Sequence, residues 1–122
     1  MTTREWRFFA QDMLDHARKA LAYASGLDQA AFVANGLVFD AALRNLERIG
    51  QAATHIPESV RTVHREVPWR KIVELRHRLV HGYLGIDEDF VWSVLRDDLP
   101  PLVEALEAIT SAWSGRRLDD RG

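Results

Sequence analysis

Apolar residues recur along this chain at three- and four-residue steps, the spacing of one face of an α-helix, and no run alternates as a strand would. Trp6, Phe9, Met13, Ala17, Leu21 and Ala24 form the first such stripe. Thr2 with Glu5 three residues later reads as a capping box, and Gly26 as a C-terminal stop, so a helix is predicted over about 3–25. Asp28 can cap a second helix over about 29–54. Its seam of Phe32, Gly36, Phe39, Leu43, Leu46, Gly50 and Ala53 is coiled-coil-like, and Val33, Leu37, Ala41 and Ile49 add a further apolar face. That helix is therefore expected to be central, with Gly36 and Gly50 admitting a close neighbour at some cost in helix propensity.

Pro57 ends this element, and a short helix is predicted from there to about His64. Pro68 suits the first turn of a helix running to about His81, with Gly82 as its stop. Asp87 is the predicted cap of a last helix carrying Val91, Leu95, Leu99, Leu102, Leu106, Ile109 and Trp113. Pro100-Pro101 interrupts that stripe, so a kink or break is expected near Asp97–Leu99. The predicted fold is all-α: an up-and-down bundle of four main helices plus a short one, the last kinked at the prolines. One domain is expected over residues 1–114, and the polar stretch 115–122 is expected to fray.

Length and composition fit that picture. The chain has 122 residues, 47% hydrophobic and 28% charged, enough for one core. No apolar run approaches the roughly 18 residues of a membrane span, and the first residues lack the apolar region of a secretory signal, so a cytoplasmic location is expected. The absence of cysteine excludes disulfides, thiolate catalysis and cysteine-ligated metals.

Charge is more informative where it is uneven. The formal net charge is −2, which argues against a general polyanion binder. Residues 61–81, however, hold six Lys/Arg against two acids, and three of the five histidines. A +4 segment thus sits in a chain whose remainder carries −6, a distribution suited to a short nucleic-acid contact or to an ordinary solvated helix face.

The candidate chemistry lies at the end of that segment, in Leu75-Arg76-His77-Arg78-Leu79-Val80-His81-Gly82-Tyr83. Arginine presents a planar fork of donors that matches a phosphate, and histidine exchanges protons near neutral pH. His77 and His81 share a helix face, which raises a zinc site. The pattern lacks the glutamate and third ligand of the zincins, and Arg78 places a cation beside the ligands, so no metal is assigned. A metal-free route needs only what RNA carries itself. A histidine can deprotonate the 2′-hydroxyl or protonate the leaving 5′-oxygen, and an arginine can stabilise the charged transition state. DNA, without the 2′-hydroxyl, would not be cut this way. Arg76 and His81 point roughly 140° apart on a regular helix, so they converge only if the helix end unwinds at Gly82 or if two copies meet across a dimer axis. On spacing alone the plainer reading is preferred, in which Arg76 pairs with a buried acid and His81 merely ends the helix.

A resemblance shifts that balance. Arg76-His77-x-x-x-His81 is similar to the signature of the HEPN superfamily, and Arg78-Leu79-Val80-His81-Gly82-Tyr83 resembles its HepT-type toxin branch, which continues to a tyrosine two residues after the histidine. Leu43-Arg44-Asn45-Leu46-Glu47-Arg48-Ile49-Gly50-Gln51-Ala52-Ala53 looks like the second helix of that family, and Val67-Pro68-Trp69 like its entry to the motif helix. Gly85-Ile86-Asp87, Trp92 and Asp98-Leu99-Pro100 look like its last helix, so the likeness covers roughly residues 5–110 in order.

The resemblance implies a metal-independent ribonuclease of a toxin–antitoxin system, with Arg76 and His81 as the catalytic pair and no cofactor. It implies that His77 and Arg78 support the site or contact phosphate, and that two protomers form one composite cleft. It implies an RNA substrate, with tRNA and mRNA as candidates, and a nucleotidyltransferase antitoxin that places AMP on Tyr83. Adenylyl groups there would block RNA entry by bulk and charge. This sequence departs from the family at His77, where asparagine is commoner, and at Gln51, where glutamate is frequent. The rival reading is a non-catalytic helical subunit that binds a nucleotidyltransferase, with Arg76 and His81 holding its nucleotide.

Overall fold

The computed structural model describes the backbone of residues 3–79 and 85–121, with side chains over residues 5–79 and 85–112. The helices are α1 (Thr3–Ala24), α2 (Gln29–Ala34), α3 (Gly36–Ala53), α4 (Glu58–Val63), α5 (Trp69–Val73), α6 (Leu75–Leu79), α7 (Glu88–Ser93) and α8 (Leu99–Arg121). A π-helical turn, Val94–Asp98, joins the last two. No described residue lies in a β-strand, so the bundle is all-α, as its periodicity predicts. No helix is long and apolar enough to cross a membrane, among the described residues.

Capping residues set most boundaries. Asp28 accepts from the Ala31 N–H at 2.8 Å and Asp87 from the Phe90 N–H at 3.0 Å, each satisfying a donor of the following first turn. Gly26 takes a positive φ of 78° where α1 stops, a left-handed conformation that glycine adopts without steric cost.

Two expectations are corrected, and a third takes a specific form. The helix predicted without interruption over 29–54 breaks at Asn35, which adopts extended backbone. Its side chain accepts from the Val38 N–H at 3.2 Å while its own N–H donates to Ala31 O. Asparagine competes locally for backbone hydrogen bonds, so it closes α2 and opens α3. The helix predicted from Pro68 to His81 is two short helices meeting at Glu74, and its described part ends at Leu79. The kink or break expected near Asp97–Leu99 takes the form of the π turn, where the Leu99 N–H donates to Val94 O, five residues back. Pro100 and Pro101 lack the N–H groups that would serve carbonyls four residues earlier, and a widened turn absorbs the mismatch. The helical backbone of α8 runs to Arg121.

The core is built around α1 and α3, which pack along each other. α8 covers α1, and α2, α5 and α6 flank α3. Met13, Leu14, Leu46, Ile49, Leu79, Leu99 and Leu106 are fully buried between them. Phe32 fixes the short α2 by packing against Phe39 and Trp92, ring centroids 5.4 Å away in both cases. Asn45 is the one buried polar residue among those described. Its Oδ1 lies 2.7 Å from His16 Nδ1, and its amide donates to Ala41 O. That satisfied pair pins the register of α1 on α3, because any slip would leave a buried polar group unpaired.

The break at Asn35 makes a stability prediction. Asn35→Ala should cost about 1 kcal/mol by removing the cap, and Asn35→Gly only a few tenths. Chemical denaturation of the two variants checks the contrast.

Candidate active site

The seam between α3 and α6 positions the first site residue. Leu75 and Leu79, four residues apart, are buried and hold α6 against the core, so the residues between them face outward. Gly50 lets the helices come close. A Cβ placed there would lie 3.0 Å from Arg76 Cγ and 3.3 Å from the Ile72 carbonyl oxygen. The aliphatic stem of Arg76 occupies that space, while Gly36 has nothing within 4 Å and plays no such part in this chain.

At its far end Arg76 is held by α3. Its Nη1 donates to Gln51 Oε1 at 2.6 Å. The partner is thus an exposed neutral amide, not the buried acid of the plainer reading. A carboxylate would neutralise the guanidinium; an amide orients it and leaves the charge in place. Arg76 is exposed and opens into a shallow cleft with Arg44, Glu47, Arg48 and Gln51. Three arginines face one acid there, an arrangement with affinity for a phosphate.

Arg44, Arg48 and Gln51 were not singled out for the site by sequence reasoning. The signal was present: positions 44, 47, 48 and 51 follow the spacing of one helix face. What the sequence does not give is that α6 lies along this face.

Of the other expected residues, His77 and Arg78 are exposed on α6. Arg78 turns away from the Arg76 cleft and sets its guanidinium 4.2 Å from the centroid of the Phe90 ring, a cation–π contact. His81 and Tyr83 lie outside the described residues. Among the described residues nearest to them, the Asp87 N–H donates to Leu79 O at 3.1 Å. No three potential ligands among His, Asp and Glu come together in a metal-holding group, among the described residues.

The chain as a whole is similar to known proteins. The chain matches the family described as Ribonuclease HepT-like over residues 13–109. It is 31% identical over 109 residues to the "Putative RNase" of Methanocaldococcus jannaschii, covering 89% of this chain and 100% of that protein. It is 36% identical over 69 residues to the "Probable ribonuclease HepT" of Thermococcus cleftensis, covering 57% and 63%. A further "Putative RNase", of Caldanaerobacter subterraneus, is 27% identical over 103 residues, covering 84% of this chain and 92% of that protein. No solved structure matches.

The close approach at Gly50 can be tested on stability alone. Gly50→Val should destabilise by about 1–3 kcal/mol through overpacking against Arg76 and the Ile72 carbonyl. Gly36→Ala, with open space around it, should be neutral or slightly stabilising. Thermal and chemical denaturation of both variants reads the difference.

Proposed function

The chain belongs to the HepT-like ribonuclease family, and on that premise we propose that it is a metal-independent endoribonuclease toxin with Arg76 and His81 as its catalytic pair. The observation that carries this reading is the state of Arg76: seated by Gly50, oriented by a neutral amide, exposed, and accompanied by Arg44 and Arg48. Such a group is a ready site for the charge that builds on a phosphodiester under attack.

In the proposed reaction the RNA 2′-oxygen forms a bond to the adjacent phosphorus and loses its proton to a histidine. The bond from phosphorus to the 5′-oxygen breaks, and that oxygen takes up a proton. The products are a 2′,3′-cyclic phosphate and a 5′-hydroxyl. His81 supplies the proton transfers, and Arg76 stabilises the phosphorane-like transition state. Two protomers bring their Arg76 and His81 into one composite cleft, which removes the need for both residues of one motif to share a helix face. His77 and Arg78 serve as supporting phosphate contacts. The regulatory partner is a nucleotidyltransferase antitoxin that transfers AMP to Tyr83, adding negative phosphate beside the catalytic pair.

Two experiments test these roles. Arg76→Ala and His81→Ala should each lower RNA cleavage in excess chelator by roughly 100-fold or more while leaving the melting temperature within a few degrees. Wild-type rates in either folded variant would remove that residue from the site. Tyr83→Phe should remain fully active after co-expression with the nucleotidyltransferase, whereas the wild type should gain the mass of AMP and lose activity. Continued neutralisation of Tyr83→Phe would refute the modification site.

A further inference from the structure

A second, larger cleft lies on the opposite flank of the motif helices, between α4, α5 and the outer side of α6. Its lining includes Arg61, Arg65, Arg70, Lys71 and Arg78, with Glu58 and Glu74 as its only acids. Five cations against two carboxylates is a strong local excess in a chain whose net charge is −2.

The accounting of partners sharpens the point. Lys71 is neutralised, its Nζ 2.9 Å from Asp98 Oδ1. Arg61 donates from Nε to Ile56 O at 3.0 Å and from Nη2 to Ala53 O at 2.9 Å, which fixes its plane against neutral carbonyls at the end of α3. Arg78 is fixed by the Phe90 ring. Arg65 and Arg70 are exposed, and among the described residues neither they nor Glu58 and Glu74 form an ion pair. The cleft therefore holds four guanidinium groups without carboxylate partners, two of them immobilised in advance. Like charges gathered this way repel one another, and an anion with several spaced charges relieves the repulsion.

We propose that this cleft is an exosite for the phosphate backbone of single-stranded RNA, engaging the strand away from the scissile bond. The inference rests on the ribonuclease reading of Arg76. Arg76 and Arg78 are two positions apart on α6, and face different clefts across a helix about 10 Å in diameter. A stacked strand advances about 3.4 Å per nucleotide, so roughly three nucleotides bridge that distance. A substrate long enough to reach both clefts gains the additional phosphate contacts; a dinucleotide gains none.

The test uses the full chain carrying Arg65→Gln and Arg70→Gln, two exposed residues outside the catalytic cleft. Affinity is measured with an oligonucleotide of about 20 residues that is 2′-O-methylated throughout, which cannot be cleaved. The double variant should bind roughly tenfold more weakly at moderate salt, and its plot of log affinity against log salt should be shallower by about 1.4, two contacts at about 0.7 each. Cleavage of a dinucleotide should be unchanged, and KM for a long RNA should rise with kcat unaltered. Unchanged affinity and salt slope would overturn the exosite. Unchanged RNA binding with loss of neutralisation by the nucleotidyltransferase would also overturn it, and would make the cleft a protein-docking surface. Because binding is read on an uncleavable probe, an inactive wild type that still shows the salt effect would refute the ribonuclease reading and leave the exosite standing.

Discussion

The close approach of α3 and α6 at Gly50 is the contact on which the rest of this molecule turns. It brings the motif helix near enough that the Arg76 stem fills the space where a Cβ would sit, 3.0 Å from its Cγ. One residue further along α3, Gln51 takes the guanidinium at 2.6 Å. Two consecutive residues of one helix thus set both the path and the plane of a side chain on another. An arginine has many rotamers to lose, and fixing it in advance lowers the cost of binding an anion. The choice of amide over carboxylate matters as much as the distance, because the charge stays available.

The remainder of the bundle serves that geometry. The satisfied pair of Asn45 and His16 fixes α1 against α3, and the buried Leu75 and Leu79 fix α6. The hydrogen bond from the Asp87 N–H to Leu79 O joins the end of α6 to the start of α7. Arginines are put to two uses. Arg61 closes the carbonyl end of α3 and helps shape one cleft, whereas Arg44, Arg48 and Arg76 gather in the other. A chain of net negative charge can hold two cationic clefts because its acids lie largely elsewhere.

How much of this was legible in the sequence depends on the range of the interaction. The caps at Asp28 and Asp87, the stop at Gly26 and the helical stripes are local, and periodicity with capping chemistry is enough to find them. Asn35 is also local, yet the apolar seam runs through it unbroken, so its competition for backbone hydrogen bonds was hidden by the pattern around it. The π turn shows the same limit: two prolines announce an interruption, but whether the chain breaks or widens depends on how Val94, Leu95 and Leu99 are buried. The pairing of Arg76 with Gln51 spans 25 residues, and nothing in either segment names the other. Gly50 was read correctly as a point of close approach; Gly36, equally suggestive by spacing, borders open space.

The chemistry of the cut ends tests the central claim most directly. RNA treated with purified protein in excess chelator should yield fragments ending in a 2′,3′-cyclic phosphate and beginning with a 5′-hydroxyl, the signature of attack by the 2′-oxygen without a metal. Fragments with a 3′-hydroxyl and a 5′-phosphate, or cleavage that vanishes with the chelator, would contradict it.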